Sequence, residues 1–222
     1  MSTDIKKLSK VLFGVIFILL LIHTVLTLYS KVLNPDLFEF LNAKFNVENE
    51  ANIPTWVSSN LLLLISITAF ILARLHTEKA INRIISDRLF WATASAVFAY
   101  LSLDEFTQLH ESIDLATNYQ VKWVVFYAPF AIGFILLSVY YIGFIQQNKH
   151  LQNYFLGGLI LIAIGGIGLE MLDYYAQLPY AIRNIVRTSE EALELFGTTL
   201  ILTGSLQELS TLLEQKRLWK FE

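Results

Sequence analysis

The sequence predicts an all-α fold, a polytopic transmembrane helix bundle of about six spans with both termini cytoplasmic. Three observations carry that expectation. The 222 residues are 55% hydrophobic and only 16% charged, whereas a soluble domain carries about 25% charged residues. The deficit comes from long apolar runs, and the mean hydropathy is +0.54. Basic residues divide unevenly between the connections, which sets an orientation. Disorder is excluded by the same composition. With 16 Lys+Arg against 19 Asp+Glu there is no basic footprint for nucleic acid. The absence of cysteine removes disulfides, thiolate metal sites and a cysteine nucleophile.

A bilayer core of roughly 30 Å takes about 20 mostly apolar helical residues. Six segments meet this within a single transmembrane domain covering 1–222: residues 11–29, 56–75, 89–109, 123–145, 155–175 and 193–213. The first follows Lys6, Lys7 and Lys10, but its apolar run is too long for a signal-peptide core and lacks a small-residue cleavage site. It is expected to be a retained helix. Between the first two spans, Asn34-Pro35 predicts a capped helix through Phe45, with Leu37, Phe38, Leu41 and Phe45 on its apolar side. Ser86 or Asp87 is the expected N-cap of the third span. Thr188 with Glu191 fits a capping box for the sixth. Gly157, Gly158, Gly165, Gly166 and Gly168 thin the fifth helix, as close helix packing requires.

One side of the bundle collects Lys6, Lys7, Lys10, Arg74, Lys79, Arg83, Arg88, Lys149, Lys216, Arg217 and Lys220. The other has Lys31, Lys44, Lys122, Arg183 and Arg187. The richer side is expected to be cytoplasmic, in a multi-pass cell membrane of the bacterial inner-membrane type. Trp56 and Trp123 are then expected at the outer interface and Trp91 and Trp219 at the inner one.

Nine of the 19 acidic residues fall at the outer level, on three helices: Asp104, Glu105, Glu111 and Asp114; Glu170 and Asp173; Glu190, Glu191 and Glu194. On a straight helix Glu111 lies about 20°, Asp114 about 80° and His110 about 120° from Asp104. Carboxylates packed together in low dielectric need a counter-charge, which a bound cation, shared protons or nearby arginines can supply. Asp104, His110, Glu111, Glu170, Asp173 and Glu194 are therefore the candidate metal ligands. Such an oxygen-rich set suits Ca, Mg, Mn or non-haem Fe better than Zn. His110 doubles as a candidate catalytic acid or base. Arg183 and Arg187, at i and i+4, are candidates for an anionic ligand or head group, or for neutralising the neighbouring acids.

The expected function is that of an integral membrane protein with an outward-facing Asp/Glu/His cluster binding a divalent metal ion. It would be a metal-dependent enzyme acting on a lipidic or small substrate. The alternatives are ion or proton translocation through the same carboxylates, or a non-catalytic accessory role. Expected partners are the lipid bilayer and other membrane subunits, with no nucleic acid.

Overall fold

The computed structural model describes residues 3–29, 34–49, 51–76, 85–117, 123–146, 148–176 and 178–218, and the side chains within them except those of Glu111, Arg217 and Leu218. Lys31, Lys79, Arg83, Lys122, Trp219 and Lys220 lie outside the described residues. The described chain is all-helical. In order, the helices are α1 (Thr3–Tyr29), α2 (Pro35–Phe45), α3 (Ile53–Leu75), α4 (Asp87–Thr107), α5 (Leu109–Ala116), α6 (Trp123–Gln146), α7 (Lys149–Ala176) and α8 (Tyr180–Leu218).

Short polar side chains start several of these helices by taking up amide donors that have no carbonyl partner of their own. Asn34 Oδ1 accepts from Asp36 N and Leu37 N ahead of α2, with Pro35 in the first turn. Asn52 Oδ1 accepts from Thr55 N for α3, Ser86 Oγ from Leu89 N for α4, and Asn148 Oδ1 from His150 N for α7. The sixth expected span has no such start. α8 runs unbroken for 39 residues, about 58 Å at 1.5 Å per residue. Thr188 is therefore mid-helix, and its hydroxyl donates to Asn184 O rather than capping.

α1, α3, α6 and α7 are long and apolar enough to cross a membrane. The protein exposes 13299 Å², against about 10,300 Å² for a water-soluble monomer of this mass. Phe17, Phe130 and Phe144 are among its most exposed apolar side chains.

α8 is the helix on which α1, α3 and α7 all pack. α1 meets it through Ser9–Thr203 (3.2 Å), stacked Phe13 and Phe196, and His23–Thr188 (3.1 Å). α7 meets it through glycine. A Cβ built on Gly197 would fall 2.6 Å from Gly158 O, and one on Gly165 would fall 2.9 Å from Glu190 O. Gly157 has open space instead. α7 also widens into π-helical turns at Gln152–Leu156 and Ala163–Leu169.

α3 and α4 run antiparallel and are clasped by serines. Ser59 Oγ donates to Ser102 O (2.9 Å), Ser102 Oγ donates to Ser59 O (2.8 Å), and seven residues away Ser66 Oγ donates to Ser95 O (2.8 Å). Below the clasp lies an aromatic core of Phe90, Trp91, Phe98, Phe134, Tyr141 and Phe155. Trp91, expected at the membrane–water interface, is instead fully buried there, edge-on to Phe155 at 5.8 Å. Its bulk fills space between helices, and that outweighs the interfacial preference of an indole.

Gly158→Ala and Gly197→Ala are each expected to destabilise the protein by about 1–3 kcal/mol through overpacking, lowering the Tm by about 2–4 °C per kcal/mol. Gly157→Ala should leave the Tm unchanged or raise it. Thermal unfolding in a mild detergent checks all three.

Candidate functional site

The site begins at a break in the helix that carries Asp104. Gln108 adopts a left-handed conformation, φ 59° and ψ 38°, which ends α4 and restarts the chain as α5. That kink folds the first turn of α5 back over the Asp104 carboxylate. Oδ1 accepts from His110 N at 3.0 Å, and Oδ2 pairs with His110 Nδ1 at 3.0 Å. From α6, the Tyr127 hydroxyl donates to Oδ1 at 3.0 Å and is itself joined by a short hydrogen bond to the Tyr100 hydroxyl. Because Tyr127 gives its proton to Asp104, Tyr100 is the donor in that pair. Trp123 lies against the His110 ring at 5.1 Å and edge-on to Tyr127 at 5.4 Å. The straight-helix geometry that grouped Asp104, His110, Glu111 and Asp114 does not hold, since α5 takes a new direction.

The other acids have separate employments. Buried Asp114 accepts from Trp123 N at 2.6 Å, closing the start of α6. Asp173 is held between two arginines: Arg183 Nε meets Oδ1 at 3.0 Å, while Arg187 Nε and one terminal nitrogen each meet Oδ2 at 3.0 Å. Both candidate anion-binding arginines are thus paired with one internal carboxylate. Glu194 lies against Gly165 and Gly166, where a Cβ on either would meet its side chain. The side chain of Glu111 is outside the described part of the structure.

Among the described residues, no three His, Cys, Asp or Glu groups come together in a way that could hold a metal ion. This overturns the metal-binding function expected from the sequence. Asp104, His110, Glu170, Asp173 and Glu194 do not converge as a ligand set. The physical reason is that the carboxylates expected to bind a cation are satisfied by amides, hydroxyls, an imidazole and guanidinium groups, or are spread over different helices.

Asp104, His110, Glu170 and Glu194 instead line a cavity of about 860 Å³. Its floor is apolar, with Phe98, Leu101, Phe134, Leu159 and Ile162. Its mouth is polar, with Glu48, Asp104, Glu105, His110, Glu170, Glu190, Glu191 and Glu194, and Arg187 is the one arginine or lysine on the wall among the described residues. Glu48 belongs to the turn after α2, which is tied down by Asn52 Nδ2 donating to Asn46 O and Asn49 O. His23, buried on α1, accepts from Val47 N through Nδ1 (3.4 Å). Its Nε2 therefore carries the hydrogen that Thr188 Oγ1 accepts (3.1 Å). Burial raises the Glu48 carboxyl above its usual range while Arg187 pulls it back. Burial, with Glu170 and Glu194 nearby, pushes Glu190 up to about 9.

Tyr100, Tyr127 and Glu48 complete the site, and none of the three is among the candidates read from the sequence. The one sequence signal for the tyrosines is a hydroxyl-bearing ring inside an otherwise apolar helical run. Among the described residues, the positive-φ non-glycine positions are Ala51 and Gln108, and neither carries a residue type that would announce a turn.

The model of the family described as Domain of unknown function (DUF8692) matches residues 11–207 of the chain. No curated protein and no solved structure matches it.

Glu190 supplies a pH prediction. Its pKa is raised on folding, so the stability it contributes is fully present below pH 4.5 and is lost as pH rises through about 9. The Tm of the parent should therefore fall between pH 6 and pH 9 relative to Glu190→Gln, by at least about 3 °C. Parallel melting curves that keep a constant separation across that range would remove the argument.

Proposed function

We propose, from the premise that the chain belongs to this family of unknown function, that it is a membrane-embedded binding protein for a single-chain amphiphile with a cationic head. The observation that carries this reading is the two-part wall of the cavity: an apolar floor deep between α4, α6 and α7, beneath a mouth rich in carboxyl groups. Its volume of about 860 Å³ is in the range of sites that enclose small ligands. The described wall carries many more carboxyl groups than arginines or lysines, and a positive charge is favoured beside carboxylates in low dielectric. These acids are distributed over α4, α7, α8 and the turn after α2. That dispersion does not suit one small ion. An alkylammonium spreads its charge over several ångströms and carries its own apolar chain to the floor.

The same reading takes α4 and residues 193–213 of α8 as two further spans, with both termini cytoplasmic and the cavity mouth on the other side. The antiparallel serine clasp supports this for α4, which lies alongside the apolar α3. The glycine contacts support it for α8, which lies alongside α7. The basic bias between the two sets of connections supports the sidedness.

Two measurements test these statements. In phosphatidylcholine nanodiscs, dodecyltrimethylammonium is expected to bind at least about tenfold more tightly than dodecyl sulfate, a difference of about 1.4 kcal/mol. Glu190→Gln/Glu194→Gln should erase most of that preference. Equal affinity for the two detergents, or none for either, would sink the cationic-amphiphile reading. For sidedness, the cysteine-free chain allows single-cysteine variants at exposed positions, Glu39→Cys on α2 and Lys149→Cys at the start of α7. A membrane-impermeant maleimide should label the first in intact cells and the second only after lysis; the reverse pattern would invert the topology.

A further inference from the structure

Resting on the amphiphile reading, we propose that the cavity is also a reaction site, in which the Asp104–His110 pair acts as a general base for hydrolysis of an acyl ester linking the head of the ligand to its chain. The geometry of the pair comes first. Asp104 accepts from His110 Nδ1 at 3.0 Å, so in the neutral ring the basic lone pair is on Nε2. The ring cannot easily turn away, because its own backbone N–H is held by the same carboxylate and Trp123 lies against its face. Tyr127, backed by Tyr100, adds a further hydrogen bond to Asp104. Four groups from two helices and the kinked α5 therefore fix one imidazole in one tautomer on the cavity wall. Asp104 and Glu105 on α4, Tyr127 on α6 and Glu194 on α8 are the titratable groups around it.

The position of the pair supplies the substrate class. Along α4, Asp104 stands one turn outward from Leu101 of the apolar floor, about 4.5 Å. Along α8, Glu190 lies one turn beyond Glu194, toward the acidic rim, while Leu195 and Thr198 lie deeper. The dyad thus marks the boundary between polar mouth and apolar floor. An amphiphile seated head-out and chain-in places the linkage between head and chain at that boundary.

In the reaction, a water oxygen bonds to the ester carbonyl carbon as one of its protons passes to His110 Nε2. The imidazolium then returns that proton to the ester oxygen as the carbon–oxygen bond breaks. The products are a fatty acid and an alcohol that carries the cationic head. No oxidant or further reactant is consumed. His110 is the catalytic residue and Asp104 a positioning residue.

The probe is lauroylcholine, offered to the full-length protein in phosphatidylcholine nanodiscs, with release of choline as the readout. Dodecyltrimethylammonium, which has no ester, reports binding alone. The parent is expected to hydrolyse lauroylcholine, and His110→Asn to lose at least about 100-fold in rate at saturating lauroylcholine. Asp104→Asn should lower kcat with little change in KM and shift the ¹⁵N signals of His110 away from the Nδ1–H tautomer, which loss of a merely structural contact would not do. If the parent binds dodecyltrimethylammonium but leaves lauroylcholine intact, the hydrolytic proposal falls and the binding reading stands. Hydrolysis that survives His110→Asn also overturns it. If the parent binds neither probe, both readings fall together, and that arm needs no variant to fold.

Discussion

The closeness of α7 to α8 is the constraint on which the rest of the bundle depends. Gly158 and Gly197 let the two backbones touch where any side chain would hold them apart. In a membrane, helices gain little from burying apolar surface against each other, because lipid tails are equally apolar; dispersion contacts from close approach matter more. Once α7 is that near, Gly165 and Gly166 receive the Glu194 side chain, and the acids of α8 are delivered to the same level as Glu170. α1 and α3 then complete a ring around α8. α6 stands farther out, and the space between it and α7 and α8 is the cavity. Small residues on one interface thus decide both the tightness of the core and the room left beside it.

The acidic level shows how a protein can hold many carboxylates without assembling a metal centre. Asp104 is engaged by an amide, an imidazole and a phenol; Asp114 by an amide; Asp173 by two guanidinium groups. Each bond answers a desolvation cost that would otherwise exclude the charge from a buried position. Three apparent ligands therefore serve as organisers of chain geometry. Asp104 secures the restart of α5, Asp114 the start of α6, and Asp173 the junction of α7 and α8. Asp104 also lines the mouth of the cavity, beside Glu48, Glu105, Glu170, Glu190, Glu191 and Glu194.

Much of the fold could be read from the chain alone, where local chemistry is decisive. Asn34-Pro35 and Ser86 start α2 and α4 as their hydrogen-bonding capacity implies, and four apolar stretches correspond to helices long enough to cross a bilayer. The misreadings arose where tertiary contacts override local preference. Thr188 and Glu191 resemble a capping box, but α8 continues through them because the Thr188 hydroxyl bonds back to Asn184 and also reaches His23. Trp91 has the amphipathic ring of an interfacial residue, yet the aromatic core encloses it. Gln108 carries no marker of a left-handed turn, so a straight helix was assumed through Asp114, and the angular grouping of its acids followed from that assumption. The cavity was the least legible feature, since it exists only between helices distant in sequence.

The serine clasp between α3 and α4 has a consequence for assembly. Its hydroxyls donate to backbone carbonyls of the opposite helix at points seven residues apart. Sliding one helix past the other by a single turn, about 5.4 Å, would carry each of these hydroxyls away from its carbonyl and set larger side chains opposite each other. The hairpin therefore has one alignment in which it closes, and the chain can verify that alignment within a short loop of sequence, before α6, α7 or α8 has been added. A slipped pairing would leave these buried hydroxyls and carbonyls without partners, so the clasp favours a single alignment of the two helices.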